Sequence, residues 1–181
     1  MSIPSAPDPA KLVIGVYTGD KTLFDPIFEE LTGLYGRTDT VSDWMAFDRT
    51  DYYEAEMGKD LFRRMVSFET LISQESLADI KVTTNGIESK YLVSGRRKVN
   101  IDPGYMLLSR FILATGKDFA HRIYIGKGIY ADLTLIYKRG TYQILPWTYP
   151  DYADQVMTSY LLTVRNRYAC DLKSMSSALA L

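Results

Sequence analysis

HRIYIGKGIYADLTLIYKRGTYQIL, residues 121–145, is the stretch that decides the fold. It is rich in β-branched and aromatic residues, which suit a pleated, half-buried surface. Gly126-Lys127-Gly128 separates RIYI (122–125) from IYADLTLIY (129–137), and Arg139-Gly140 separates that run from TYQIL (141–145). Short glycine-bearing breaks between such runs are hairpin signals. The stretch therefore reads as an antiparallel meander. It also holds the chain's one histidine, His121, and places Arg122, Lys127 and Asp132 among strand residues.

Toward the N-terminus, KLVIGVYT (11–18) reads as the first strand. Leu23, Phe24, Ile27, Phe28, Leu31, Leu34 and Tyr35 recur at helical spacing and predict a helix over 22–35. VSDWMAFD (41–48) and LFRRMVSFETL (61–71) are two further strands, joined by an acidic connection over 50–60. Ser73 is a suitable N-cap for a second helix over 74–93, carried by Leu77, Ile80, Thr84, Ile87 and Tyr91, with Gly95 ending it. KVNID (98–102) is a strand, Asp102-Pro103-Gly104-Tyr105 carries the chemistry of a type II turn, and MLLSRFILAT (106–115) returns as a strand. Beyond the meander, Pro150-Asp151 predicts the start of a final helix over 151–168. This order predicts an α+β fold with a mainly antiparallel sheet. Its β-α-β-β-α-β start is ferredoxin-like, and the meander and a C-terminal helix extend it.

A chain of 181 residues with 46% hydrophobic and 24% charged residues suits one domain with its own core. Residues 1–10 read as a flexible leader, 11–172 as the domain, and 173–181 as a tail that frays or docks. The net charge of −1 gives no basic excess, so nucleic acid is not indicated as a partner. No run approaches the roughly 20 apolar residues of a membrane helix. The single cysteine, Cys170, excludes an internal disulfide and suits a cytoplasmic protein, monomeric or homodimeric. One histidine and one cysteine make zinc unexpected, and haem likewise.

His121 is the first candidate for function, because a histidine can donate or accept a proton near neutral pH. Lys117, Arg122 and Lys127 stand near it in sequence as anion-binding candidates, with Asp102 and Asp132 to orient the histidine or hold a metal. Lys81 and Asn85 lie four apart, so they share a helix face and can add to the same anion site. The acidic block Asp48, Asp51, Glu54 and Glu56 leaves magnesium open as a cofactor, although a solvated loop explains it better. Gly126-Lys127-Gly128 lacks the full phosphate-loop pattern and precedes a strand, so a hairpin turn accounts for it.

FDRTDYYEAEMG (47–58), VNIDPGY (99–105), LATGKDFAHRIYIGKGIYADLTLIY (113–137) and LPWTYPDY (145–152) resemble the signature blocks of an uncharacterised prokaryotic family, domain-of-unknown-function family 4416. The resemblance runs from the first strand to the last helix. The shared positions are Asp51, Tyr52, Tyr53, Glu54, Glu56, Asn100, Asp102, His121, Arg122, Lys127 and Asp132; Arg49-Thr50 is a minor departure. The resemblance implies a cytoplasmic single-domain protein and no particular activity.

Two functions stay open. One is a binder of, or enzyme for, a small anionic metabolite such as a nucleotide, at a pocket around His121. The other is a non-catalytic interaction module with an aromatic surface of Trp44, Trp147, Tyr149 and Tyr152.

Overall fold

The structure, a computed structural model, describes residues 1–48 and 54–179. In chain order it forms β1 (Ala10–Thr18), α1 (Phe24–Tyr35), β2 (Thr38–Val41), β3 (Met45–Phe47), α2 (Glu54–Met57), β4 (Leu61–Ile72) and α3 (Leu77–Lys90). A small hairpin of β5 (Leu92–Val93) and β6 (Arg96–Arg97) follows. Then come β7 (Val99–Leu107), β8 (Arg110–Thr115), β9 (Arg122–Gly126), β10 (Ile129–Lys138), β11 (Thr141–Ile144) and α4 (Gln155–Leu179). Single 3₁₀ turns, Lys21–Leu23 and Gln74–Ser76, lead into α1 and α3.

The main sheet has the order β11-β10-β8-β7-β1-β4-β2, with β3 also on β4 and β9 also on β10. Every pair is antiparallel. β4 lies between β1 and β2, and β1 lies between β4 and β7, so each β-α-β unit is split by a strand of the other. This is the ferredoxin-like start, and the meander widens it beyond β7.

Helices cover both faces. Leu12, Ile14 and Val16 of β1 pack with Phe24, Ile27 and Leu31 of α1 and Ile80 and Ile87 of α3. On the opposite face Val13 joins Met106, Phe111 and Met157, Leu161, Val164 and Tyr168 of α4. A strand covered on both faces has no solvent-facing residue, which is why 11–18 reads as one apolar run. The exception is Lys11, fully buried beneath α4. Its ammonium pairs with Asp39 of β2, reaches Asp171 of α4 at 2.8 Å and donates to the Phe68 carbonyl at 2.8 Å. One cation thus ties β1, β2, β4 and α4 together.

Several boundaries differ from expectation. Residues 102–105 are not a turn; β7 runs straight through them, and Leu108-Ser109 makes the turn instead. Gly104 serves close packing: a Cβ there would sit 2.3 Å from the Ile112 carbonyl oxygen. Of the strand expected over 41–48 only Met45–Phe47, β3, is continuous strand; Val41 instead ends β2, which begins at Thr38. Between them the Ser42 hydroxyl takes the Met65 N–H at 2.9 Å, a bond a continuous strand would have made with its backbone. Helix α3 stops at Lys90, and residues 91–97 form the extra hairpin, turning at Ser94 (φ 51°) and Gly95 (φ 76°). Two successive positive φ values suit a tight hairpin turn. The last helix begins four residues late. Asp151 is occupied with Arg63, and Asp154 caps the helix through the Val156 N–H at 2.8 Å. No helix among the described residues is long and apolar enough to cross a membrane.

Candidate functional site

A gap opens where β7 and β8 part. Their last paired residues are Gly104 and Leu113. Ile101 shows which way the free edge of β7 points: its N–H donates to Glu88 at 2.8 Å and its carbonyl accepts from Lys81 at 2.7 Å, both on α3. Backbone direction alternates along a strand, so the nitrogen of Pro103, two residues on, faces the same gap. A proline there has no N–H to offer, and the ladder ends. The residues that carry turn chemistry in the sequence therefore open the sheet.

Restoring that N–H should close the gap partly. In Pro103→Val the amide at position 103 should bond the Ala114 side and become protected from hydrogen exchange. Stability should change by less than about 1 kcal/mol, since one new hydrogen bond is offset by the loss of proline's restraint on the unfolded chain. An unprotected amide at 103 would show that the split has another cause.

The gap widens into a cleft of about 670 Å³. Three ion-paired groups line it. On the β7 side Lys81 reaches through the split to Asp102 at 3.2 Å, and Asn100 donates to the other Asp102 oxygen at 2.8 Å. Arg97 grips Glu56 with two bonds of 2.7 Å and also donates to Glu88 at 3.1 Å and Asn100 at 3.0 Å. These contacts hold the Glu56 carboxyl below its ordinary value, mainly through the Arg97 hydrogen bond. On the β8 side Arg122 donates to Asp132 at 2.9 Å, to the Lys117 carbonyl at 3.0 Å and to the Tyr149 hydroxyl at 2.7 Å, while lying over the Phe119 ring. Near the strand ends Asp151 pairs with buried Arg63, whose guanidinium sits 5.0 Å from the Tyr152 ring and 5.6 Å from that of Tyr17. The two phenols meet at 3.3 Å. Burial keeps both protonated, pushing their pKa values above the usual range, with further help for Tyr17 from Tyr152 and for Tyr152 from Asp151 and Asp102. Burial also raises the Asp151 carboxyl, against the pull of Arg63.

Of the residues singled out from sequence, Lys81, Asn85, Asp102, Lys117, Arg122 and Asp132 line this cleft. His121 does not; its ring stacks on Trp147 at 4.9 Å and touches Asp132 at 3.3 Å. His121 is the turn residue just before β9, and it meets the same Asp132 oxygen that Arg122 holds. Lys127 does not line it either. It sits at the tip of the β9–β10 turn, largely exposed, paired with Asp79 of α3. Of the acidic block, Asp48 is not among the lining residues, Asp51 lies outside the described residues, and Glu56 is bound to Arg97. Nothing is described of the Glu54 side chain. Among the described residues no three His, Cys, Asp or Glu side chains converge as a metal site. Arg97 and Asp151 join the site unforeseen; Asn100, noted only as a position shared with the family, and Tyr149, noted only as part of an aromatic surface, join it too. Asn100 and Asp102 share a strand face, a period-two signal that was legible; Arg97 and Glu56 are 41 residues apart and carry none.

No curated protein and no solved structure matches this chain. One family model does, described as a domain of unknown function (DUF4416), over residues 8–168. That span takes in every strand of the main sheet and all the cleft-lining residues, and the chain belongs to the DUF4416 family.

Proposed function

We propose that the protein binds a small anionic metabolite in the cleft between β7 and β8. The observation that carries this is the convergence of three ion-paired groups, Lys81–Asp102 with Arg97, Arg122–Asp132 and Arg63–Asp151, on one cavity. Buried ion pairs are poor stabilisers, because desolvation consumes most of their attraction. Their concentration around a cavity of ligand size argues for use, not for stability. The rest of the lining is largely apolar and aromatic, with Phe47, Phe119 and Leu113 among it. His121 orients Asp132 in this reading and does not meet the ligand. The interaction-module reading has less support: Trp44 packs against Phe24 on the α1 side, Tyr152 is buried, and Trp147 and Tyr149 sit beside the cleft.

Thermal unfolding in the presence of inorganic phosphate, nucleoside monophosphates, sugar phosphates, carboxylic acids and amino acids tests the proposal. A ligand at one hundred times its Kd should stabilise by about 2.7 kcal/mol, several degrees for a chain of this size. Asn85 is exposed on α3 at the cleft wall, so Asn85→Trp should abolish that shift and leave the Tm of the free protein unchanged. A panel that produces no shift, or a shift that survives Asn85→Trp, would refute the cleft as the site.

A further inference from the structure

We propose that the ligand of this cleft is dipolar: an acidic group facing Arg122 on the β8 side, a protonated amine or amidine facing Asp102 on the β7 side, and an apolar body between them. The inference rests on the cleft being a binding site for an anionic group and adds that the ligand carries its own balancing cation.

Charge balance gives the first reason. The lining cations Lys81, Arg97, Lys117 and Arg122 face the carboxylates Asp102, Asp132 and Asp151. A site for a polyanion such as a nucleoside triphosphate would present a net positive field. Here Arg97 is closed off by Glu56, Glu88 and Asn100, and Lys81 by the Ile101 carbonyl and Asp102. A ligand of one negative charge, balanced within itself, fits the near-neutral wall.

The second reason is which groups keep bonding capacity. Arg122 has five N–H donors, and its protein contacts use one each at Nε and the two terminal nitrogens. Its plane is fixed by Asp132, Tyr149 and the Phe119 ring, as oriented recognition of a carboxylate or phosphate requires. Among the lining carboxylates only Asp102 retains much exposure, 24% of its side chain against 3% for Asp132 and 9% for Asp151. Each Asp102 oxygen receives one donor, from Lys81 or Asn100, and a carboxylate oxygen accepts two. An oriented carboxylate with unused acceptors is completed by a cationic donor.

Phenylalanine, tyrosine and leucine, each beside its deaminated and its decarboxylated analogue, are the probes, with adenosine monophosphate as the anionic control, measured by titration calorimetry at fixed salt. At least one amino acid should bind tenfold or more tightly than both of its analogues. Asp102→Asn should reduce that amino acid to the level of its deaminated analogue, while the analogue's own affinity stays within about threefold. The dipolar class is overturned if a deaminated acid or adenosine monophosphate binds as tightly as any amino acid. In that case the binding-site reading stands, provided Asn85→Trp abolishes the signal. If none of these probes and none of the wider panel binds, both conclusions fall.

Discussion

Replacing Lys11 by methionine is expected to lower the Tm by about 6–20 °C. Methionine keeps the length and apolar stem of lysine but removes the charge. Asp39 would then remain 3% exposed with the more exposed Arg167, 3.9 Å away, as its nearest cation, and Asp171 would keep Arg167 at 3.5 Å but lose Lys11. Removing one member of a buried pair costs roughly 3–5 kcal/mol, because the other charge stays desolvated and unmatched. For a chain of 150 to 250 residues each kilocalorie is worth about 2–4 °C. The double variant Lys11→Met with Asp39→Asn should recover a good part of the loss, since it leaves a polar group and not a bare charge. A single variant that melts within 2 °C or so of the wild type would mean that water reaches Asp39 after all.

The same cluster sets a pH dependence. Burial pushes the Asp39 carboxyl up, but hydrogen bonds from Lys11 and Ser67 and the charges of Lys11 and Arg167 pull it below its ordinary 3.8. A carboxyl depressed by folding contributes stability that is present above its unfolded pKa and lost as the pH falls through the folded value. The wild type should therefore weaken below about pH 3.8. Lys11→Met has already forfeited that contribution, so the gap between the two should narrow in acid.

The meander was legible because each of its breaks is local: glycines at 126, 128 and 140 take positive φ values, and Lys127 and Arg139 beside them do too. The split of the sheet was not legible, because Asp102-Pro103-Gly104 has one meaning in isolation and another between two neighbours. Turn chemistry is a property of four residues. The close approach at Gly104 and the ending of the ladder at Pro103 depend on Ile112 and Leu113, eight to ten residues later. The candidate site divides the same way. Lys81 and Asn85 could be grouped by helical spacing alone, and both line the cleft. His121 drew notice by rarity, and Lys127 by its charge, but the first stands in the turn before β9, stacked on Trp147 and against Asp132, and the hairpin tip carries the second out to Asp79. Asp151 looked like a helix-starting residue because nothing local shows that Arg63, 88 positions earlier, lies beneath it.

Arg63→Met is expected to cost about as much as the loss of Lys11, roughly 3–5 kcal/mol, but with an opposite pH signature in the wild type. Arg63 is 2% exposed, among Tyr17, Phe47 and Tyr152, and its guanidinium pairs with Asp151 and donates to the Asp151 carbonyl at 3.2 Å. Burial raises the Asp151 carboxyl above its ordinary value despite Arg63. An acid raised by folding imposes a penalty that is fully present above the folded pKa and is relieved as the pH falls through it. The Asp151 carboxyl therefore carries a penalty at neutral pH, where Asp39 contributes stability. Without Arg63 the carboxyl should rise further, so most of the variant's deficit should vanish on mild acidification, at a pH above the ordinary carboxylate value. Replacing both partners, Arg63→Met with Asp151→Leu, should return stability to within about 1 kcal/mol of the wild type or exceed it, because an apolar pair avoids the desolvation. Urea unfolding of the wild type and both variants at pH 5 and pH 7 measures all of this. A double variant as unstable as the single one would assign the pair a structural role. Recovered stability with lost ligand binding would instead mean that the ion pair is kept for the cleft that Asp151 lines.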